Sequence, residues 1–141
     1  MFAKLKSAFT GKVSKFSGRT DFLEAVCAAS ALVAAADGDV SDAEVNATVK
    51  SVSSNAQLAS AFDQRAIEKT AETMLRRAQG GRVGRAGLMK EIDDIKADAE
   101  MAETVLLSAL DVADDVGISA EERAVLDKIA KALGLSLANY E

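Results

Sequence analysis

Apolar side chains recur every three or four positions along most of this chain, and this spacing is typical of one buried face of an α-helix. The strongest run covers residues 21–36, which are almost all apolar or small. Further helices are predicted at about residues 41–54, 60–79, 87–97, 99–113 and 120–133. No segment alternates apolar and polar residues over the length of a strand, and the chain contains no proline. The pattern therefore predicts an all-α protein.

One acidic stretch occurs twice along the chain. The first copy covers residues 37–44 and the second covers residues 115–122, so the copies lie 78 positions apart. Both carry the pattern Ser-x-x-Glu, beginning at Ser41 and at Ser119, which is a capping box at the start of a helix. Each copy also follows an apolar helical run. We therefore predict two related units, each made of a helix, an acidic turn and a second helix.

Local signals predict the ends of other helices. Asp21 and Glu24 fit an N-cap and its partner at the start of the first helix. The glycine pair at 80–81 predicts a helix end, and Gly134 predicts the end of the last long helix. Residues 82–87 are rich in glycine and arginine, which predicts a solvated connector. The alternative for this segment is a binding site for phosphate or for an acidic partner.

Charge is unevenly distributed along the 141 residues, which carry a net charge of −5. Residues 1–19 contain five basic residues and no acidic residue, so the remainder of the chain is strongly acidic. We divide the chain into a basic N-terminal segment, residues 1–19, and a helical domain, residues 20–141. The acidic domain argues against nucleic-acid binding, because phosphate backbones bind basic surfaces.

The N-terminal segment has the pattern of a basic amphipathic helix. Its phenylalanines fall at helical spacing, and lysines lie between them. Such a helix docks on an anionic membrane surface or on a protein partner. The alternative is that the phenylalanines pack on the helical domain and the lysines are solvated. The candidate docking residues are Phe2, Lys4, Lys6, Phe9, Lys12 and Phe16.

The repeated acidic stretch is also a candidate metal site, because Ca²⁺ and Mg²⁺ take oxygen ligands. The predicted ligands are Asp37, Asp39, Asp42, Glu44, Asp114, Asp115 and Glu122. The first copy is not an EF-hand, because Asp42 stands where that loop needs glycine and Thr48 stands where it needs a glutamate. The alternative is that these carboxylates form turns, cap helices and interact favourably with the helix dipole.

Catalysis has little support in the sequence. The chain contains no histidine, and it lacks the glycine-rich motifs that bind nucleotides. Paired carboxylates could act as in glycosidases, but no aromatic sugar site accompanies them. We therefore predict a protein that is not an enzyme and that has no cofactor besides the candidate metal ion.

Compartment follows from what the sequence lacks. The single cysteine, Cys27, lies among small apolar residues and is predicted to be a buried thiol, which is consistent with a reducing compartment. No secretory signal is evident, and the longest apolar stretch, residues 25–36, is too short to span a bilayer. We predict a cytoplasmic protein.

Taken in order, these features resemble the TerB family of tellurite-resistance proteins. The resemblance is carried by residues 26–28, by residues 35–38 leading into the turn at Ser41, by the second acidic copy at 114–122 and by the closing run 128–134. It implies an all-helical fold of about seven helices in two pseudo-symmetric halves. It also implies a role in resistance to tellurite and chemical stress.

The same resemblance implies a site and partners. The acidic residues proposed to chelate metal in the family correspond to Asp37, Glu44, Asp115 and Glu122. The second copy departs from the Asp-Gly pattern of the first, because Val116 follows Asp115. Family members are associated with protein complexes at the cytoplasmic face of the inner membrane, so protein partners and an oligomer are both compatible with the resemblance.

Two functions stay open at this point. The first is a stress-response adaptor that binds a divalent metal at the acidic turns and docks partners or the membrane. The second is a structural or assembly protein, such as a component of a phage or another particle, that uses the same fold as an interaction module.

Overall fold

A computed structural model of the chain describes residue 13 and residues 15–114 and 118–140. Within these residues it contains seven α-helices, one 3₁₀ helix and no strand. The α-helices are α1 (Thr20–Ala34), α2 (Asp42–Ser53), α3 (Ala56–Ala61), α4 (Gln64–Gln79), α5 (Gly81–Asp93), α6 (Ala99–Asp114) and α7 (Ala120–Ala132). The 3₁₀ helix, Leu137–Tyr140, follows α7. The prediction of an all-α protein is confirmed.

Helix α1 lies at the centre of the fold and packs against α2, α4, α5, α6 and α7. Its residues 25–33 are all buried. Small side chains on every face let the neighbouring helices approach closely, which is why one helix can have so many neighbours. Cys27 is 1% exposed, and burial raises the pKa of its thiol to about 12. The prediction of a buried and unreactive thiol is confirmed.

The two halves follow the sequence repeat. A shift of 78 positions carries Asp42, the first residue of α2, onto Ala120, the first residue of α7. Each of these helices begins with the predicted capping box. The hydroxyl of Ser41 accepts a hydrogen bond from the backbone N–H of Glu44 at 3.1 Å, and the same pair of groups in α7 also lies at 3.1 Å. Helices α1 and α6, which precede the two boxes, pack against each other.

The prediction that Asp21 caps the first helix is wrong. The helix begins at Thr20, its N-cap is Arg19, and no side chain caps it. The carboxylate of Asp21 instead accepts hydrogen bonds from the guanidinium of Arg19 at 2.9 and 3.2 Å. That pairing lowers the pKa of Asp21, and it occupies the oxygens that capping would need.

The prediction of a connector at residues 82–87 is also wrong, because the segment is part of α5. Gly81 turns the chain with a φ of +78°, and α5 then packs against α4. A Cβ on Gly84 would lie 1.7 Å from the carbonyl oxygen of Arg77, and a Cβ on Gly87 would lie 2.6 Å from its Nη2. These two glycines therefore allow a close approach between helices, whereas the sequence pattern suggested flexibility.

The core begins before residue 20. Val13 and Phe16 are buried, and the ring of Phe16 stacks on Phe22 with centroids 4.9 Å apart. Phe16 was predicted to dock partners, but in this structure its ring is a core side chain. The other candidate docking residues, Phe2, Lys4, Lys6, Phe9 and Lys12, lie outside the described residues.

The C-terminal residues return to the core as predicted. Gly134 has a φ of +77°, and the N–H of Leu135 donates to the carbonyl of Ala130 at 2.8 Å, which closes the end of α7. Leu137 is buried, and the hydroxyl of Tyr140 donates to Glu103 of α6 at 2.7 Å.

Candidate functional site

The two acidic helix starts line one cavity beside the C-terminal end of α1. We call this cavity, of about 310 Å³, the acidic cavity. Its lining residues are Val33, Ala34, Ala36, Asp37, Glu44, Ser119, Glu121 and Glu122. The two halves of the repeat thus bring their acidic turns together, although the turns are 78 positions apart in the sequence.

Glu44 and Glu122 occupy matching positions on the two sides of the acidic cavity. Each lies three residues after its capping serine, and its Oε1 accepts the N–H of that serine, at 3.1 Å for Glu44 and 2.9 Å for Glu122. This geometry leaves the second oxygen of each carboxylate for another partner. Both glutamates also line an adjoining cavity of about 220 Å³ between α2 and α6, so they separate two spaces.

Asp37 and Asp39 shape the first turn. Oδ1 of Asp37 accepts the N–H of Asp39 at 3.2 Å, and Oδ1 of Asp39 accepts the N–H of Val40 at 3.0 Å. Between them Gly38 has a φ of +101°, which few side chains tolerate. Asp37 lines the acidic cavity, whereas Asp39 does not. The first turn therefore brings one of its two aspartates to the site.

Asp42 contacts α4 and does not line the acidic cavity. Its Oδ1 accepts hydrogen bonds from Nε2 of Gln79 at 3.1 Å and from Nη1 of Arg76 at 2.9 Å. The hydrogen bond from Gln79, followed by the hydrogen bond and charge of Arg76, lowers the pKa of Asp42. Gln79 also donates to the carbonyl of Val40 at 2.9 Å, so Asp42 helps to join α2 to α4.

The second acidic turn is described only at its edges. Asp114 is the last residue of α6 and lines a different cavity, of about 160 Å³, together with Tyr140. Asp115 lies outside the described residues. Glu121, which was not among the predicted ligands, lines the acidic cavity. The available signal was its position beside Glu122 in the second copy.

The donors around the acidic cavity are carboxylate and hydroxyl oxygens, which is the ligand type that Ca²⁺ and Mg²⁺ prefer. In the part of the chain that the structure describes, however, no group of three or more acidic or other metal-ligating side chains is close enough to hold a metal ion. The chemistry of the donor set therefore fits a hard divalent cation, while its spacing gives an incomplete coordination shell.

A second cavity, of about 380 Å³, lies between the C-terminal end of α1, helix α5 and helix α7, and we call it the basic cavity. Its lining residues are Leu32, Ala35, Ala36, Arg82, Arg85, Ala86, Met89, Val125, Lys128 and Ile129. The arginines come from the segment that was predicted to be a connector. Sequence reasoning missed this cavity because its wall depends on the close packing of α5 against α4.

An all-helical domain in which two capped acidic helix starts face each other across a central helix is a repeat-built protein with a shared site between its halves. A family model described as "Tellurite resistance protein TerB" matches residues 23–141. The chain therefore belongs to the TerB family. Comparisons with curated proteins and with solved structures found no match. None of the helices formed by the described residues has both the length and the hydropathy needed to cross a membrane.

Proposed function

We propose that this TerB protein is a stress-response adaptor, not an enzyme, in which a divalent cation joins the two halves of the fold. The observation that carries the proposal is the meeting of the two acidic helix starts at one cavity. Helix capping alone explains each serine and each glutamate within its own turn. It does not explain why the carboxylates of both turns share a cavity.

Three carboxylates are assigned to the cation: Glu44, Asp37 and Glu122, from the two halves of the repeat. Each glutamate keeps Oε1 on its capping N–H and offers Oε2 to the ion. Carboxylates that share a small space repel one another, and a bound Ca²⁺ or Mg²⁺ would neutralise that repulsion. The ion would thereby link the start of α2 to the start of α7. Its role is structural or regulatory, and no catalytic residue is assigned.

Partner docking is the second part of the proposal. The basic N-terminal segment is proposed to bind protein partners or anionic lipid at the cytoplasmic face of the inner membrane, because it carries five basic residues and no acidic residue. The check is co-sedimentation of the full chain with anionic and neutral vesicles, using a Phe2→Ala/Phe9→Ala variant. Loss of binding in that variant supports docking through these side chains, and unchanged binding contradicts it.

Thermal unfolding tests the metal site. Protein freed of metal by a chelator is unfolded with and without millimolar Ca²⁺ or Mg²⁺, beside a Glu44→Gln/Glu122→Gln variant. Glutamine retains an oxygen for the capping box but removes the charge. A cation at about 100 times its Kd adds about 2.7 kcal/mol to the stability of the folded state, which raises the midpoint by several degrees.

The matched control is Glu68→Gln/Glu72→Gln, which removes the same charge from two exposed residues of α4. We expect the cation to raise the midpoint of the wild type and of this control, and to leave the Glu44/Glu122 variant unchanged. If neither cation raises the wild-type midpoint, the acidic turns act only as helix caps. That result would favour the alternative of a structural or assembly module.

A further inference from the structure

We propose that the basic cavity binds a small amphipathic anion, with a carboxylate or phosphate head group and a short apolar body. This inference concerns residues that the proposed cation site does not use, so each can fail without the other. It rests on three features of the cavity: its unpaired positive charge, a buried donor without a partner, and its apolar lining.

The charge of the cavity is entirely positive. Arg82 and Arg85 lie one turn apart on α5, Lys128 comes from α7, and no acidic side chain lines the cavity. The described ion pairs of this protein include none of these three residues. Three cations converging on one space repel one another, and an anion in that space would be attracted to all of them. This arrangement stands out in a chain whose net charge is −5.

Arg85 holds the wall of the cavity and retains an unused donor. Its Nη2 donates to the carbonyl of Gly38 at 2.8 Å, which fixes the guanidinium against the first acidic turn. Its Nε is buried and, alone among the buried side-chain nitrogens and oxygens of the described residues, has no hydrogen-bond partner. A buried donor without an acceptor is costly, so an anionic oxygen that reached it would gain a charge-assisted hydrogen bond.

The rest of the lining is apolar. Leu32, Met89, Val125 and Ile129 come from three helices and surround the space between the cations. The cavity volume of about 380 Å³ lies within the range of small-molecule sites, roughly 300–1,000 Å³. A simple inorganic ion would use the charges and leave this lining in contact with water. An anion that carries a short apolar body uses both, since the flexible thioether of Met89 can adapt to its shape.

The test is a titration of the full chain followed by two-dimensional NMR. The probe is hexyl phosphate, with inorganic phosphate as the head group alone and hexanol as the apolar body alone. The variant is Arg82→Gln/Lys128→Gln, because both side chains are exposed and their loss spares the Arg85 contact that supports the fold. The control is Arg65→Gln/Lys69→Gln, which removes the same charge from the exposed face of α4.

We expect hexyl phosphate to shift the resonances of Arg85, Met89 and Val125 in a saturable manner, more tightly than phosphate or hexanol. The affinity should fall by about tenfold or more in the Arg82/Lys128 variant, since charge-assisted hydrogen bonds are lost, and should be unchanged in the control. The absence of saturable binding at millimolar probe, or equal affinity in the two double variants, would overturn the proposal.

A parallel arm identifies the source of the head group. Vesicles containing an anionic phospholipid are compared with neutral vesicles, using the same two double variants. Vesicle binding that is lost only in the Arg82/Lys128 variant would identify a lipid head group as the ligand. Hexyl phosphate binding without such vesicle binding would identify a soluble anion.

Discussion

The acidic cavity and the basic cavity lie on two sides of the same helix end, and Ala36 lines both of them. Their polar groups are used differently. In the acidic cavity, Glu44 and Glu122 each place one oxygen on a backbone N–H of their own helix. In the basic cavity, Arg82 and Lys128 form none of the ion pairs that the structure describes, and Nε of Arg85 is buried without a partner.

The difference separates structural from ligand-directed use of charge. The acidic residues have a local role that would place them there without any ligand, because a capping box stabilises the helix that carries it. The basic residues have less local reason for their positions. A signal that is strong in the sequence can therefore mark a fold element, while a site with unused capacity can be silent in the sequence. Substitutions in each region can sharpen or break this contrast.

The largest effect is expected for Gly84→Ala in the wall of the basic cavity. The added Cβ would lie 1.7 Å from the backbone oxygen of Arg77, which cannot rotate away as a side chain could. We expect a loss of about 3 kcal/mol in the free energy of unfolding, measured in urea at equilibrium. In an unconstrained helix the same change would stabilise by about 1 kcal/mol, so a gain in stability would contradict the close approach of α4 and α5.

Gly87→Ala is the matched control for this substitution. Its Cβ would meet Nη2 of the Arg77 side chain at 2.6 Å, and a flexible side chain can move aside. We expect a change below about 1 kcal/mol, because the clash is relieved without moving backbone. Equal losses in the two variants would mean that the α5 glycines share another role.

A smaller effect is expected in the acidic cavity. Ser41→Ala and Ser119→Ala each remove the hydroxyl that accepts a backbone N–H at 3.1 Å. Each should cost about 1 kcal/mol of stability in urea unfolding, because one N–H at the helix start loses its partner. Ser41→Thr, which keeps a capping hydroxyl, should cost much less. A negligible loss in either alanine variant would remove the local explanation for that acidic turn.

The smallest effect concerns Asp42, the acidic residue that contacts α4. Its carboxyl should titrate below the ordinary aspartate range in an NMR pH titration, because Gln79 and Arg76 donate hydrogen bonds to the charged form. A lowered folded-state pKa adds stability above the unfolded-state pKa, and this stability is lost as the pH falls through the folded-state value. Gln79→Ala and Arg76→Gln should each raise the pKa, and an unchanged pKa would remove this contact from the account.

Features fixed by neighbouring residues were predictable from the sequence. Both capping boxes begin at the predicted serines, because the pattern and its hydrogen bonds lie within four residues of each other. The central position of α1 followed from its small side chains, and Gly134 ends α7 as expected. The repeat was also visible in the sequence, because its spacing is regular from one half to the other.

Features that depend on contacts between distant residues were not predictable in the same way. Gly84 and Gly87 look like flexible positions until the backbone of Arg77 is placed against them. Arg19 takes the carboxylate of Asp21 from its capping role. The sequence could list Asp37, Asp42 and Glu44 as ligands, but only the packing of α2 on α4 separates Asp42 from the other two.

One measurement tests the central contrast most directly: NMR titration of the metal-free wild-type chain with Mg²⁺ or Ca²⁺ and, separately, with hexyl phosphate. The account predicts that the cation shifts resonances of Asp37, Glu44 and Glu122, that the anion shifts those of Arg85 and Met89, and that the two sets do not overlap. Shifts of one common set by both ligands, or no saturable shift with either, would contradict the existence of two sites of opposite charge beside the end of α1.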